Sequence, residues 1–191
     1  TEIREDVDYP GQRVKLASRL GNVRISIQID IGFGDTIVPP PVEMDYPTLL
    51  NMPSPHIKAY PMETVVAEKC ETLVSKGILN SRMKDFYDLW VLARQFDFQG
   101  SSLTEAILAT FTRRRTSIPH QRPVALTEEF SKNPDKQVQW NAFLKTRKLE
   151  NATMDLSAVI EEIERFLMPP LKAAATGSPL MKNWPAGGPW S

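Results

Sequence analysis

The side chains best suited to chemistry lie between Tyr60 and Trp90. Lys69 sits in an Ala67-Glu68-Lys69-Cys70 run of helical character, and Asp85 and Asp88 follow three residues apart. That spacing puts both carboxylates on one face of a helix. Two antiparallel helices with a short joint would bring the ammonium to the carboxylates. Upstream, Asp30 stands near the end of a strand-like run. A lysine beside a carboxylate pair, with a third carboxylate on a strand, suits the holding of a metal-bound triphosphate. The same residues also suit a plain interhelical salt bridge, and composition alone favours that simpler use because such pairs are common.

The elements that must position these groups are readable from periodicity. Gln12–Leu20 and Val23–Ile31 both alternate with period two around Gly21-Asn22, the pattern of a β-hairpin. Val23, Ile25, Ile27, Ile29 and Ile31 share one face, and Arg24, Ser26, Gln28 and Asp30 share the other. Seven prolines between residues 38 and 61 forbid a helix there and predict an extended connector with one edge strand. Helical spacing starts with Val66, Cys70, Leu73 and Val74 and stops at Gly77; a second helix follows from about Ser81 through Met83, Phe86, Trp90 and Ala93. Ser102-Leu-Thr-Glu105 fits a capping box for a third helix ending at Arg113-Arg114-Arg115. A further helix opens near Pro134-Asp135 and carries Trp140, Phe143, Leu144 and Arg147. The last has the stripe Leu156, Val159, Ile160, Ile163 and Leu167, with Asp155 as N-cap and Pro169-Pro170 as stop. The fold class is therefore α+β: a small antiparallel sheet followed by a helical bundle. The expected domains are 1–60 for the sheet with its connector, 61–170 for the bundle, and 171–191 as a disordered tail.

The 191 residues carry 23 Lys plus Arg and 23 Asp plus Glu, so the formal net charge is zero, which argues against a wholly basic nucleic-acid binder. The single cysteine, Cys70, excludes an internal disulfide framework and reads as a small core residue in a reducing compartment. No apolar run of membrane-spanning length and no signal peptide are visible, so a cytoplasmic location is expected and no membrane is expected as a partner. The chain opens Thr1-Glu2-Ile3 without an initiator methionine, as the later part of a longer protein would. His56 and His120 are far apart and lack ligand-spaced partners. Gly32-Phe33-Gly34 is too short for a dinucleotide fingerprint. Arg113 to Arg115 with Arg122 form the strongest basic cluster, suited either to a helix C-terminus or to RNA phosphates. Phe86, Tyr87 and Trp90 at helical spacing read as core.

Ala67-Glu68-Lys69, a basic loop from Lys76 to Arg82, and Lys84-Asp85-Phe86-Tyr87-Asp88-Leu89, preceded by the strand Gln28-Ile29-Asp30-Ile31, resemble the later motifs of the AbiEii/AbiGii abortive-infection nucleotidyltransferases. These are toxins of type IV toxin–antitoxin systems with a polymerase-β-like fold, and the resemblance covers about residues 12 to 150. It implies an Mg²⁺-dependent transfer of a nucleoside monophosphate from an NTP to a hydroxyl of RNA, tRNA included, or of protein, and a cognate antitoxin partner. By the same resemblance Asp30 is a catalytic carboxylate and metal ligand, Lys69 contacts the phosphates, and Asp88 orients the nucleotide or handles a proton. Arg82, Lys84 and Asp85 are implied substrate-binding residues, with Lys84 supporting Asp88 as an i,i+4 pair. The family's first motif, a Gly-Ser turn followed by Asp-x-Asp on a neighbouring strand, is absent. Asp6 and Asp8 read Asp-x-Asp but follow neither an apolar strand nor such a turn. The alternative function is a binding or regulatory module that keeps the fold without the metal pair, and a third is a helical adaptor unconnected with nucleotides.

Overall fold

The computed structural model describes residues 2–3, 11–149 and 155–191, and the chain divides into two compact units, Thr1–Thr36 and Ile37–Ser191. The first unit is an antiparallel sheet ordered β1-β2-β3, with β1 at Glu2–Ile3, β2 at Gly11–Leu20 and β3 at Val23–Gly32. The alternation sets its register: Leu20 pairs with Val23, Leu16 with Ile27, and Arg13 with Asp30. Gly21 has φ 58°, which a residue bearing a Cβ rarely adopts and which a tight hairpin turn requires at its first central position. The apolar face is present as expected but uncovered, with Ile25, Ile27, Ile29 and Ile31 between 39% and 45% exposed.

In the second unit the proline-rich connector forms two strands, not one: β4 at Val42–Asp45 pairs antiparallel with β5 at His56–Ala59. Pro47, Pro53 and Pro55 fall in the loop between them, where a missing N–H costs the ladder nothing. The Thr64 hydroxyl accepts from Val38 N and donates to Val38 O, tying the connector to the first helical turn.

Six helices follow. They are α1 Met62–Lys76, α2 Met83–Gln95, α3 Gly100–Arg113, α4 Glu128–Ser131, α5 Pro134–Thr146 and α6 Leu156–Thr176. α1 packs on α3, while α2 and α3 both pack on α6. The apolar periodicities meet in one core that includes Phe86, Leu103, Phe111, Phe130, Trp140, Ile163 and Phe166. α1 stops at Gly77 with φ 48°, and α5 starts with Pro134 at its first position and the Asn133 side chain accepting from Asp135 N and Lys136 N.

Three expectations fail here for one reason. The third helix begins at Gly100 and not at a Ser102 cap, α6 runs through Pro169 and Pro170 to Thr176, and residues 171–191 are packed instead of disordered. Pro170 removes the N–H that Phe166 O would accept, and Trp190 Nε1 donates to that carbonyl at 3.0 Å while its ring stacks on Phe166. Trp184, 2% exposed, donates its indole N–H to Ala93 O in the last turn of α2 at 2.7 Å. Gly100 N donates to Lys182 O at 2.8 Å, beside a two-residue ladder of β6 Phe98–Gln99 with β7 Asn183–Trp184. The tail thus satisfies backbone groups that a helix end or a proline leaves open.

Gly100 is a position where only hydrogen fits, because a Cβ would lie 2.6 Å from the carbonyl oxygens of both Leu180 and Lys182. Gly100→Ala is expected to lose about 2 kcal/mol, the cost of overpacking against backbone, measured as a lowered midpoint in urea denaturation.

Candidate functional site

Lys69 projects from the third turn of α1 toward α2, where the register of α2 stacks Asp85 and Asp88 one turn apart on the facing side. Its Nζ lies 2.8 Å from Asp85 Oδ1 and 2.7 Å from Asp88 Oδ2. The three side chains are 17%, 7% and 22% exposed, so this is a largely sequestered triad and not a surface pair. Arg82 Nε donates to the other Asp85 oxygen at 2.8 Å, and Lys84 Nζ donates to Asp88 Oδ2. All five residues that the sequence singled out in this stretch therefore belong to one network of three cations and two carboxylates. Net charge +1 at a half-open site favours anions.

Burial opposes the Lys69 ammonium, but the bonds to Asp85 and Asp88 outweigh it and raise its pKa. Burial likewise opposes the Asp88 carboxylate, and the bonds from Lys69 and Lys84 overcome it and hold its pKa down. Both groups are charged at neutral pH.

An open groove of about 530 Å³ reaches this network at Asp85, lined by Arg82, Lys84 and Asp85 on one side and by Gln139, Phe143 and Arg147 of α5 and its C-terminus on the other. The α5 residues were not marked as functional from sequence, because nothing local in that stretch signals a site. Their relevance comes from α5 packing against α2. Phe143 also meets the Tyr87 ring, so the aromatic stripe is core with one edge toward the groove.

Asp30 is described within the first unit. Its Oδ1 accepts from Arg13 Nε at 2.7 Å and its Oδ2 from Arg13 Nη2 at 3.0 Å and Gln28 Nε2 at 3.1 Å. The Arg13 hydrogen bond is the main reason its pKa lies below the usual carboxylate value. Asp6 and Asp8 lie outside the described residues. Among the described residues no three His, Cys, Asp or Glu side chains group to hold a metal ion. His56 hydrogen-bonds Asp45 across the β4–β5 pair, and burial pushes the Cys70 thiol pKa up, so Cys70 is an inert core residue. Of the basic cluster, Arg114 is bonded to Glu71 at 2.7 Å and Arg122 to Glu164 at 2.6 Å. No described helix is long and apolar enough to cross a membrane.

The triad sets a pH window for stability. Asp88 has a lowered folded pKa, so its contribution is present above the unfolded value of about 4 and is lost as pH falls through the folded one. Lys69 has a raised folded pKa, so its contribution is complete below about pH 10 and is lost as pH rises through the folded value. Urea denaturation across pH should show a plateau bounded by these limits. Lys69→Met, which leaves Asp85 with Arg82 alone and Asp88 with Lys84 alone, should cost about 2 kcal/mol at neutral pH, and adding Asp85→Asn and Asp88→Asn should recover part of it.

Residues 1–167 match the family model described as "Nucleotidyl transferase AbiEii toxin, Type IV TA system". No curated protein and no solved structure matches the chain. The match spans both the strand carrying Asp30 and the Lys69–Asp85–Asp88 triad, the same stretches whose motifs resembled that family. The chain belongs to the AbiEii nucleotidyl transferase toxins of type IV toxin–antitoxin systems.

Proposed function

We propose that the second unit supplies the phosphate-binding half of a nucleotidyltransferase that moves a nucleoside monophosphate from an NTP to a hydroxyl of RNA or protein, in the cytoplasm and under control of a cognate antitoxin. The observation that carries this reading is the Lys69 ammonium held between Asp85 and Asp88, a network reached at Asp85 by a groove lined by Arg82, Lys84 and Arg147. In-line transfer needs positioned charge more than covalent help. Lys69 would meet the phosphates, with Asp85 and Asp88 fixing its ammonium so that its geometry is set before substrate arrives. Arg82 would present its guanidinium fork to a phosphate, exchanging Asp85 for a stronger anion, and Lys84 would add a second cation. Asp88 would orient the nucleotide through Lys69 and Lys84. Asp30, in the first unit, would be the catalytic carboxylate that the resemblance implies.

Enzymes of this kind use a divalent cation, and Mg²⁺ is the expected one. The described residues do not fit a complete metal site, because both Asp30 oxygens are taken by Arg13 and no ligand cluster accompanies them. The roles above are therefore those of this chain's own charged groups. The occupied Asp30 carboxylate also favours a second reading, a nucleotide-binding module that performs no transfer.

Calorimetric titration with each NTP in the presence of Mg²⁺ tests the pocket. Micromolar binding weakened about tenfold or more by Lys69→Ala and by the exposed-site change Arg82→Gln is expected. Absence of heat with every NTP would overturn the proposal. Transfer of labelled monophosphate to RNA or protein, lost in Asp30→Ala, separates the enzyme from the binding module.

A further inference from the structure

The two walls of the groove differ in chemistry. Within α5 the lining residues Gln139, Ala142, Phe143 and Thr146 fall at i, i+3, i+4 and i+7, a single stripe of the helix, and none is charged. Arg147 follows only past the helix end. The opposite wall carries Arg82, Lys84 and Asp85. A ligand that matches both walls is anionic along one flank, and apolar with hydrogen-bonding edges along the other. A nucleoside triphosphate is divided in this way, and about 530 Å³ is an ordinary volume for a site that holds a molecule of that size.

Two details of the uncharged stripe point to the base in particular. Phe143 is half-buried, and its ring is held against Tyr87 at 5.7 Å and Trp140 at 5.6 Å between centroids. What it leaves open to the groove is a fixed apolar surface, against which a further ring packs edge-to-face or offset.

Gln139 Oε1 is buried and has no hydrogen-bond partner. Protein interiors leave few such atoms unpaired. The other one among the described residues, Asn80 Nδ2, belongs to a fully buried side chain outside the groove lining. The terminal torsion of glutamine is soft, so a half-turn of the Gln139 carboxamide exchanges its oxygen and nitrogen. Either face of the amide is thus available to the groove. An acceptor beside donors is the counterpart of a base edge, where an N–H stands next to an acceptor, and glutamine reads such edges with two hydrogen bonds.

We propose that Gln139 and Phe143 form the nucleobase subsite of this groove and that Gln139 selects among bases, an inference that rests on the groove's role as a nucleotide site. Phe143 meets the ring of any base and adds affinity without choice. The Gln139 carboxamide meets the edge, where bases differ, and sets the choice.

Calorimetric titration with inorganic tripolyphosphate and with each of the four NTPs, all with Mg²⁺, tests the subsite. The preferred NTP should bind about tenfold or more tighter than tripolyphosphate, and about tenfold or more tighter than the poorest NTP. Gln139→Leu should compress that spread to about threefold or less and leave tripolyphosphate binding unchanged. The same variant should keep its midpoint in urea, because it replaces a buried acceptor that has no partner. Phe143→Leu should weaken all NTPs alike and spare tripolyphosphate. Tripolyphosphate that binds as tightly as every NTP, or a spread that Gln139→Leu leaves intact, would overturn the base subsite while the phosphate site stands. Silence with tripolyphosphate and with every NTP would overturn both.

Discussion

One ammonium group fixes how the first two helices of the bundle meet: Lys69, on α1, is held by both carboxylates that α2 presents. Hydrophobic contact is non-directional and would let the helices slide by a residue or more. A cation that must touch Asp85 and Asp88 at once does not permit this. The arrangement is costly to build, since three charged groups leave water, and of modest net benefit once built. Its yield is geometric: an ammonium whose position is set by protein groups before any anion arrives.

The same device recurs across the bundle. Glu71, on α1, is answered by Arg114 and Thr116 beyond α3, and Glu162 of α6 accepts from Trp90 and Arg94 of α2. Lys136, 7% exposed, donates to Asn80 O and lies over the Phe130 ring. Each buried charge joins segments distant in sequence, and each is bonded, as a low-dielectric interior demands. The core supplies cohesion, and these links specify which faces meet.

Much of this architecture was legible in the sequence. Period-two alternation around Gly21-Asn22 fixed the hairpin to the residue, because a one-residue slip would turn its apolar face over. Lys69, Asp85 and Asp88 were legible as a cluster because two short-range spacings and a short joint leave few other arrangements. The rest depended on contacts that no local pattern encodes. Pro169-Pro170 reads as a stop, and does not act as one because Trp190 takes the Phe166 carbonyl. The groove wall from α5 is similarly invisible, since Gln139, Phe143 and Arg147 acquire meaning only where α5 lands beside α2. The full engagement of Asp30 by Arg13 follows from cross-strand register, which the hairpin implied but which composition does not reveal.

The C-terminal segment has a kinetic consequence. Trp184 reaches Ala93 across 91 residues and Ala186 reaches Asp97 across 89, whereas α1 and α2 are neighbours in the chain. Closing so long a loop carries an entropic cost that local helix pairing does not. These contacts are therefore expected to form after the rate-limiting step, so that they act as a latch: they set how long the folded molecule persists and leave the speed of its formation almost untouched.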